Sequence, residues 1–329
     1  MDPPGAQAVG LAALALAGLG ALAAVLVEAR RRPDRDASTP RTSRGKGKRR
    51  DRRIAIQETV PGEARALHAA AGLLALSVLA DSAVEHYKGS FENPGMVTPL
   101  MTSGVTAAHA ARAAASRTHR AKRGGGVYGS ALAVGATGLG FHLFNLLRRP
   151  GRLNWLNLFY AAPLGAPVAL SLAGVIGLVA DRVAEGRSRF AGAPIGRFLA
   201  GLTALGLFGT AGEAGLLHFR GAFQNPLMYA PVTVPPIGAV LVGQAALERR
   251  APTHRRFARA WLGLTAALGV VGMGLHAYGV SRAMGGWRNW RQNVVDGPPL
   301  PAPPSFSALA IAALAALSLR DREDREDER

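Results

Sequence analysis

The chain has 329 residues, about half of them apolar, with 39 Lys and Arg against 21 Asp and Glu and a net charge of +18. It contains no cysteine, which excludes thiolate metal sites, thiolate-held iron–sulfur clusters, cysteine-attached haem and disulfides. The charge falls between windows of almost uncharged sequence, several of the ~20 residues a helix needs to cross a hydrocarbon core of ~30 Å, while 94–111 and 227–247 are shorter or proline-rich but bracketed by basic loops.

In chain order these windows are 7–27, 66–87, 94–111, 127–147, 156–180, 198–219, 227–247, 260–280 and 305–319. They predict an all-α polytopic membrane bundle of nine transmembrane helices. The first window starts Met1-Asp2-Pro3-Pro4 and has its bases after the apolar stretch, the order of a translocated anchor and not of a cleaved leader. With the N-terminus outside, the segments 29–65, 112–123, 181–197, 249–259 and 320–329 face inward and hold 31 of the 39 bases. That asymmetry predicts N-out, C-in insertion in a bacterial-type inner (plasma) membrane.

The expected organisation is an anchor (1–28), a basic cytoplasmic linker (29–62), two four-helix membrane repeats (63–193 and 194–319) and a charged cytoplasmic tail (320–329). Within the linker, residues 29–53 carry 12 bases and three acids. Pro33, Pro40 and Gly45-Lys46-Gly47-Lys48 argue against a stable helix there. Such a juxtamembrane segment is attracted to anionic lipids by roughly 1 kcal/mol per base. Without interleaved aromatics or a fold to present the charges, it predicts no nucleic-acid partner. The tail, with alternating sign, reads as a solvated helix end or as disordered.

The repeat is carried by a motif. His86-Tyr87-Lys88-Gly89-Ser90-Phe91-Glu92-Asn93-Pro94-Gly95-Met96 returns 132 residues later as His218-Phe219-Arg220-Gly221-Ala222-Phe223-Gln224-Asn225-Pro226-Leu227-Met228. An acid stands five residues before each histidine, Asp81 and Glu213. A weaker pair follows at an offset of 134: Gly138-Leu139-Gly140-Phe141-His142 and Gly272-Met273-Gly274-Leu275-His276, each followed by Asn-Trp and a proline cluster. A match of this length means a duplicated unit. Four spans per unit give both copies one orientation, hence a pseudo-two-fold axis along the membrane normal.

Much of the motif predicts turn mechanics. Asn93 and Asn225 are natural N-caps, and Pro94 and Pro226 natural first helical residues. Gly89 and Gly221 would permit a tight reversal. Pro99 and Pro231 would kink the return helix, and Pro235 and Pro236 would break it again.

The four motif histidines, His86, His142, His218 and His276, should share one depth at the outer face. Three readings are open. They cap free carbonyls at helix C-termini. They ligate haem b in bis-His pairs, with Gly138, Gly140, Gly272 and Gly274 giving the macrocycle room. Or they join Asp81 and Glu213 in a metal or proton site. Outer-loop bases including Arg148, Arg149, Arg220 and Arg288 face outward against the positive-inside rule and suit an anion such as haem propionates. Asp81 and Glu213 lie inside spans, where a carboxylate costs ~2.5–3.5 kcal/mol unless paired or hydrated. They read as a helix–helix hydrogen bond or as a proton or cation site.

His68 and His109 lack counterparts in the second half, where Ala200 and Leu241 stand, and read as local packing or interfacial residues, with a single ligand pair as the alternative. No metal beyond a haem iron is expected. The leading reading is a haem b-binding, redox-associated membrane subunit with a redox or assembly partner at the outer face. The alternatives are a proton-coupled secondary transporter of an anionic solute and a membrane scaffold.

Overall fold

The computed structural model describes residues 60–117, 124–160, 162–248 and 254–328. The anchor 1–28 and the polybasic segment 29–53 lie outside them. The first half comprises α1 (Gly62–Lys88), α2 (Val97–Ala115), α3 (Gly125–Leu147), a short α4 (Trp155–Tyr160) and α5 (Gly165–Ala184). A two-residue hairpin, β1 (Arg189–Phe190) and β2 (Ala193–Pro194), leads to the second half. There follow α6 (Ile195–Arg220), α7 (Ala230–Leu247), α8 (His254–Arg282), a short α9 (Trp290–Val295) and α10 (Pro304–Asp327).

The core is built by α1, α5, α6 and α10, whose small and branched residues interlock: Leu67, Leu74, Ile176, Leu199, Leu207, Leu309 and Ala313 are buried. Around it, α2 and α3 pack on one side and α7 and α8 on the other. The outer helices turn large apolar side chains outward, among them Met101, Phe141, Phe144, Leu264 and Val270. Apolar exposure on this scale is not a feature of a surface facing water. Six helices, α1, α3, α5, α6, α7 with its leading turn, and α8, are long and apolar enough to cross a membrane. Two further predicted spans are helices of lesser apolar length: α2 is short and interrupted by His109 and Arg112, and α10 turns charged after Leu319.

The outer helices seat on the core through glycine. A Cβ on Gly135 would lie 2.6 Å from both the Pro167 carbonyl and the Ser171 nitrogen, so α3 meets α5 backbone to backbone. On Gly269 it would lie 2.7 Å from the Pro303 carbonyl and 2.8 Å from the Ser307 nitrogen, bringing α8 equally close to α10. Ser171 and Ser307 donate across these contacts to the Leu132 and Ala266 carbonyls at 3.4 and 2.6 Å.

Several sequence expectations are corrected. The window 156–180 is not one span, because residues 155–160 form the separate α4 and Pro163, without an N–H, precedes the true start at Gly165. Pro99 and Pro231 do not kink α2 and α7. Both lie in the first turn, where no backbone donor is needed. Pro235 and Pro236 sit inside a continuous α7. Gly89 and Gly221 have ordinary negative φ; the positive φ angles belong to Ser90, Phe91, Ala222 and Phe223. The glycines instead leave room for the Met96 and Met228 methyl groups, 3.6 and 3.0 Å from where a Cβ would stand.

The tail is helical, and its end, residues 325–328, is exposed, but its first turn is held to the bundle. Arg320, 1% exposed, donates to the Ala245 and Glu248 carbonyls at 3.0 and 2.8 Å and pairs with Glu323 at 2.8 Å. Arg255 bridges Asp321 and Asp324 at 2.5 and 2.6 Å, and Arg259 reaches Asp321 at 2.6 Å. Charges of alternating sign thus lock α10 to α7 and α8.

Candidate functional site

The motif histidines meet at one end of the bundle, where the turns α1–α2 and α6–α7 and the segments preceding α5 and α10 converge. In the first turn, Asn93 Oδ1 accepts from the Gly95 N–H at 2.8 Å, with Pro94 opening a 3-10 turn, Pro94–Met96. In the second, Asn225 Oδ1 accepts from Leu227 N–H at 2.9 Å ahead of Pro226–Tyr229. Phe91 and Phe223 N–H groups close back on the His86 and His218 carbonyls, both at 3.1 Å. Two consecutive non-glycine residues at positive φ in each turn are a strained arrangement. It brings Phe91 and Phe223 edge-on against the His86 and His218 rings.

Each histidine is fixed in one way. Nδ1 of His86 lies 2.7 Å from the Met96 carbonyl oxygen, and Nδ1 of His218 lies 2.8 Å from that of Met228. His142 meets the Pro163 carbonyl at 2.6 Å and His276 the Pro299 carbonyl at 2.8 Å. A carbonyl oxygen only accepts, so each Nδ1 carries a proton, and in the neutral form of such a ring the lone pair is on Nε2. The rings come in pairs. His218 and His276 have centroids 6.3 Å apart at 67°, and His142 is close enough to His86 to interact electrostatically. All four are half-buried. Among the described residues no three His, Asp or Glu side chains converge to hold a metal ion. What this end offers is His218 beside His276 and His142 within electrostatic reach of His86.

The four motif glycines divide. Gly138 and Gly272 face Pro167 and Pro303, 3.5 and 3.0 Å from where a Cβ would be, and serve helix packing. Gly140 and Gly274 face open space.

Asp81 and Glu213, from different halves, interact electrostatically, and Asp81 does so also with Glu85 and Lys88. Glu213 Oε1 accepts from the Gly165 N–H at 3.1 Å, capping α5. Ser77, one turn from Asp81, donates to the Pro301 carbonyl. Both contacts cross from one half to the other, as does the docking of the short helices. Trp155 and Phe159 of α4 pack on Phe219 at the end of α6, and Arg291 of α9 binds the Tyr87 hydroxyl at the end of α1.

The arginines of this end are exposed. Arg220 lies over the Tyr160 ring and Arg148 over Phe144, while Arg149 touches the Tyr160 carbonyl at 3.5 Å. Among the described residues, Arg148, Arg149, Arg220 and Arg288 pair with no carboxylate.

At the opposite end of the first half lies a polar group that the sequence reading missed. His68, taken there as a packing residue, has Nδ1 2.8 Å from the Tyr128 hydroxyl, in the interior, and Nε2 3.7 Å from Asp181. Asp181 also accepts from the Gly124 N–H at 2.9 Å. His109 stands edge-on to Tyr128 at 5.3 Å. Tyr128 and Asp181 could have been found by extending the sequence offset of the two motifs, which sets Leu262 and Leu317 against them. The offset there has drifted to 134 and 136.

This architecture defines an all-helical bundle with the long apolar helices of an integral membrane protein. Family models, curated proteins and solved structures give no match to the chain.

Proposed function

We propose that the chain is a polytopic membrane subunit that binds haem b through the histidine pairs His86/His142 and His218/His276. In this reading it crosses a bacterial-type inner membrane nine times, N-terminus out and C-terminus in. Its two four-helix repeats are related by a pseudo-two-fold axis along the membrane normal, with the histidines at the outer face. The observation that carries the haem reading is the shared Nδ1–H···O=C bond, which fixes four imidazoles with Nε2 free. A backbone carbonyl behind the ring is the usual partner that orients a ligating histidine and raises its basicity. Two imidazoles bound to one metal at about 2 Å each place their ring centroids roughly 6 Å apart, and 6.3 Å separates His218 from His276.

Paired nitrogens without a third ligand suit an iron whose equatorial positions a macrocycle fills. Open space at Gly140 and Gly274, and exposed arginines without carboxylates, suit the ring and its propionates. Haem would supply one-electron chemistry; His86, His142, His218 and His276 would hold it, and the exposed arginines would present a basic face to an electron-transfer partner. The test is the visible spectrum of protein expressed with haem supplementation. A band lost in His218→Ala supports the reading, and a colourless wild-type protein refutes it.

A second reading rests on the electrostatic interaction of Asp81 with Glu213 between the halves. In a transporter of an anionic solute these carboxylates would carry the coupled proton. Asp81→Asn and Glu213→Gln would then abolish proton-coupled uptake in proteoliposomes without loss of folded protein. Uptake that survives both substitutions ends this reading.

A further inference from the structure

The two halves differ in one place where the difference is concerted. In the first half, Met101, Thr102, Val105 and Thr106 of α2 and Gly126, Val127 and Ser130 of α3 line an open groove of about 270 Å³. Following the repeat, Trp261 stands at the position of Val127 and Gly238 at that of Thr106. The Trp261 indole fills the gap between α7 and α8: its Nε1 donates to the Val234 carbonyl at 2.7 Å, and its ring edge lies 3.5 Å from where a Gly238 Cβ would stand. The second half therefore closes with a planar bicyclic ring what the first leaves open.

The open groove has unmet polar groups. Thr106 is fully buried, and its hydroxyl has no partner among the described residues. One turn further along α2, His109 Nε2 is likewise buried without a partner. Behind it stand Tyr128, His68 and Asp181. All four of these polar positions are apolar in the second half: Ala200, Leu241, Leu262 and Leu317. Tyr128 also needs the space left by Gly177, whose Cβ would overlap its ring, and the matching residue is Ala313 beside the smaller Leu262. Buried polar groups are almost always satisfied by protein, water or ligand. Of these groups only Thr106 lines the groove, whose rim, Met101 and Val105, is exposed and apolar.

We propose that this groove binds the head of a lipid-soluble quinone. The ring would lie where Trp261 lies in the other half, parting the side chains that cover the buried Thr106 hydroxyl so that a quinone oxygen meets it, with the isoprenoid tail leaving past Met101 and Val105. The lining bears no charge, which disfavours a phospholipid headgroup. A volume of about 270 Å³, near the lower end of small-molecule pockets, suits one ring with its tail outside. The inference is independent of the haem reading, because it uses none of the motif histidines.

The test titrates the detergent-purified full-length chain with decylubiquinone. One saturable equivalent should bind to the wild type and, unchanged, to Arg322→Met, whose side chain is exposed on the tail. The double variant Val127→Trp/Thr106→Gly copies the second half's own closure into the first and should weaken binding at least about tenfold. Thr106→Val keeps the shape, loses only the hydroxyl and should weaken binding about fivefold, the worth of one neutral hydrogen bond. Equal binding by wild type and Thr106→Val overturns the proposal, as does decanol competing as well as the quinone, which would mark a site for an alkyl chain only.

Discussion

Replacing Arg320 by Met keeps most of the side-chain volume and removes the charge at the centre of the α10 network. The guanidinium is 1% exposed and donates to the Ala245 and Glu248 carbonyls and the Glu323 carboxylate. It also stands 2.9 Å from Asp324 Oδ1, a contact that is ionic only, since that oxygen has no hydrogen bond. Breaking a buried ion pair by removing one partner costs roughly 3–5 kcal/mol. Asp324 keeps Arg255 at 2.6 Å and Glu323 keeps the Gly196 N–H at 2.6 Å, which points to the lower part of that range. The orphaned carbonyls add about 1 kcal/mol each unless water reaches them. The expected loss is about 3–5 kcal/mol, read from the denaturant midpoint of the purified protein in detergent. Arg322→Met is the control: its bond to Glu63 involves a side chain 50% exposed, and exposed pairs contribute at most about 1 kcal/mol. A loss below about 1 kcal/mol for Arg320→Met would refute the view that the tail is structural.

Burial alone would raise the Asp321 carboxyl, but the hydrogen bonds and charges of Arg255 and Arg259 hold it below the usual carboxylate range. The folded state therefore binds fewer protons than the unfolded one in acid. The stability contribution of Asp321 is complete above the ordinary carboxylate pKa and is lost as pH falls through the lowered folded value. Asp321→Asn should flatten the acid limb of a Tm–pH profile, and an unchanged slope would contradict this. Gly135→Ala and Gly269→Ala must push α3 from α5 and α8 from α10, at about 1–3 kcal/mol of overpacking, partly offset by about 1 kcal/mol of helix propensity. Gly140→Ala and Gly274→Ala, facing open space, should be stabilising, so thermal melts that fail to separate the two pairs argue against the close contacts. Ala222→Gly relieves a positive φ of 56° and should gain about 1 kcal/mol, against which a lower Tm would count.

The sequence made the helices legible because their apolar runs are long and their bases lie between them. It also made the Asn-Pro caps legible, since capping is a local matter of one side chain and the next two residues. What it did not reveal depends on contacts distant in the chain. Arg320 meets Ala245 and Glu248, and Tyr128 meets His68, across separations that no local pattern encodes. The prolines of α2 and α7 were misjudged because their effect turns on where the helix begins. The four histidines could be placed at one end by counting spans, but not their Nδ1 bonds to the Met96, Pro163, Met228 and Pro299 carbonyls. Those follow from the way each return segment folds back over the ring.

The haem reading stands or falls on one spectrum. The detergent-purified, haem-supplemented protein, oxidised and then reduced with dithionite, should show a Soret band and split α/β bands that sharpen on reduction, diminished in both His218→Ala and His276→Ala. A flat visible spectrum would contradict it and leave Asp81 and Glu213 as the groups to pursue.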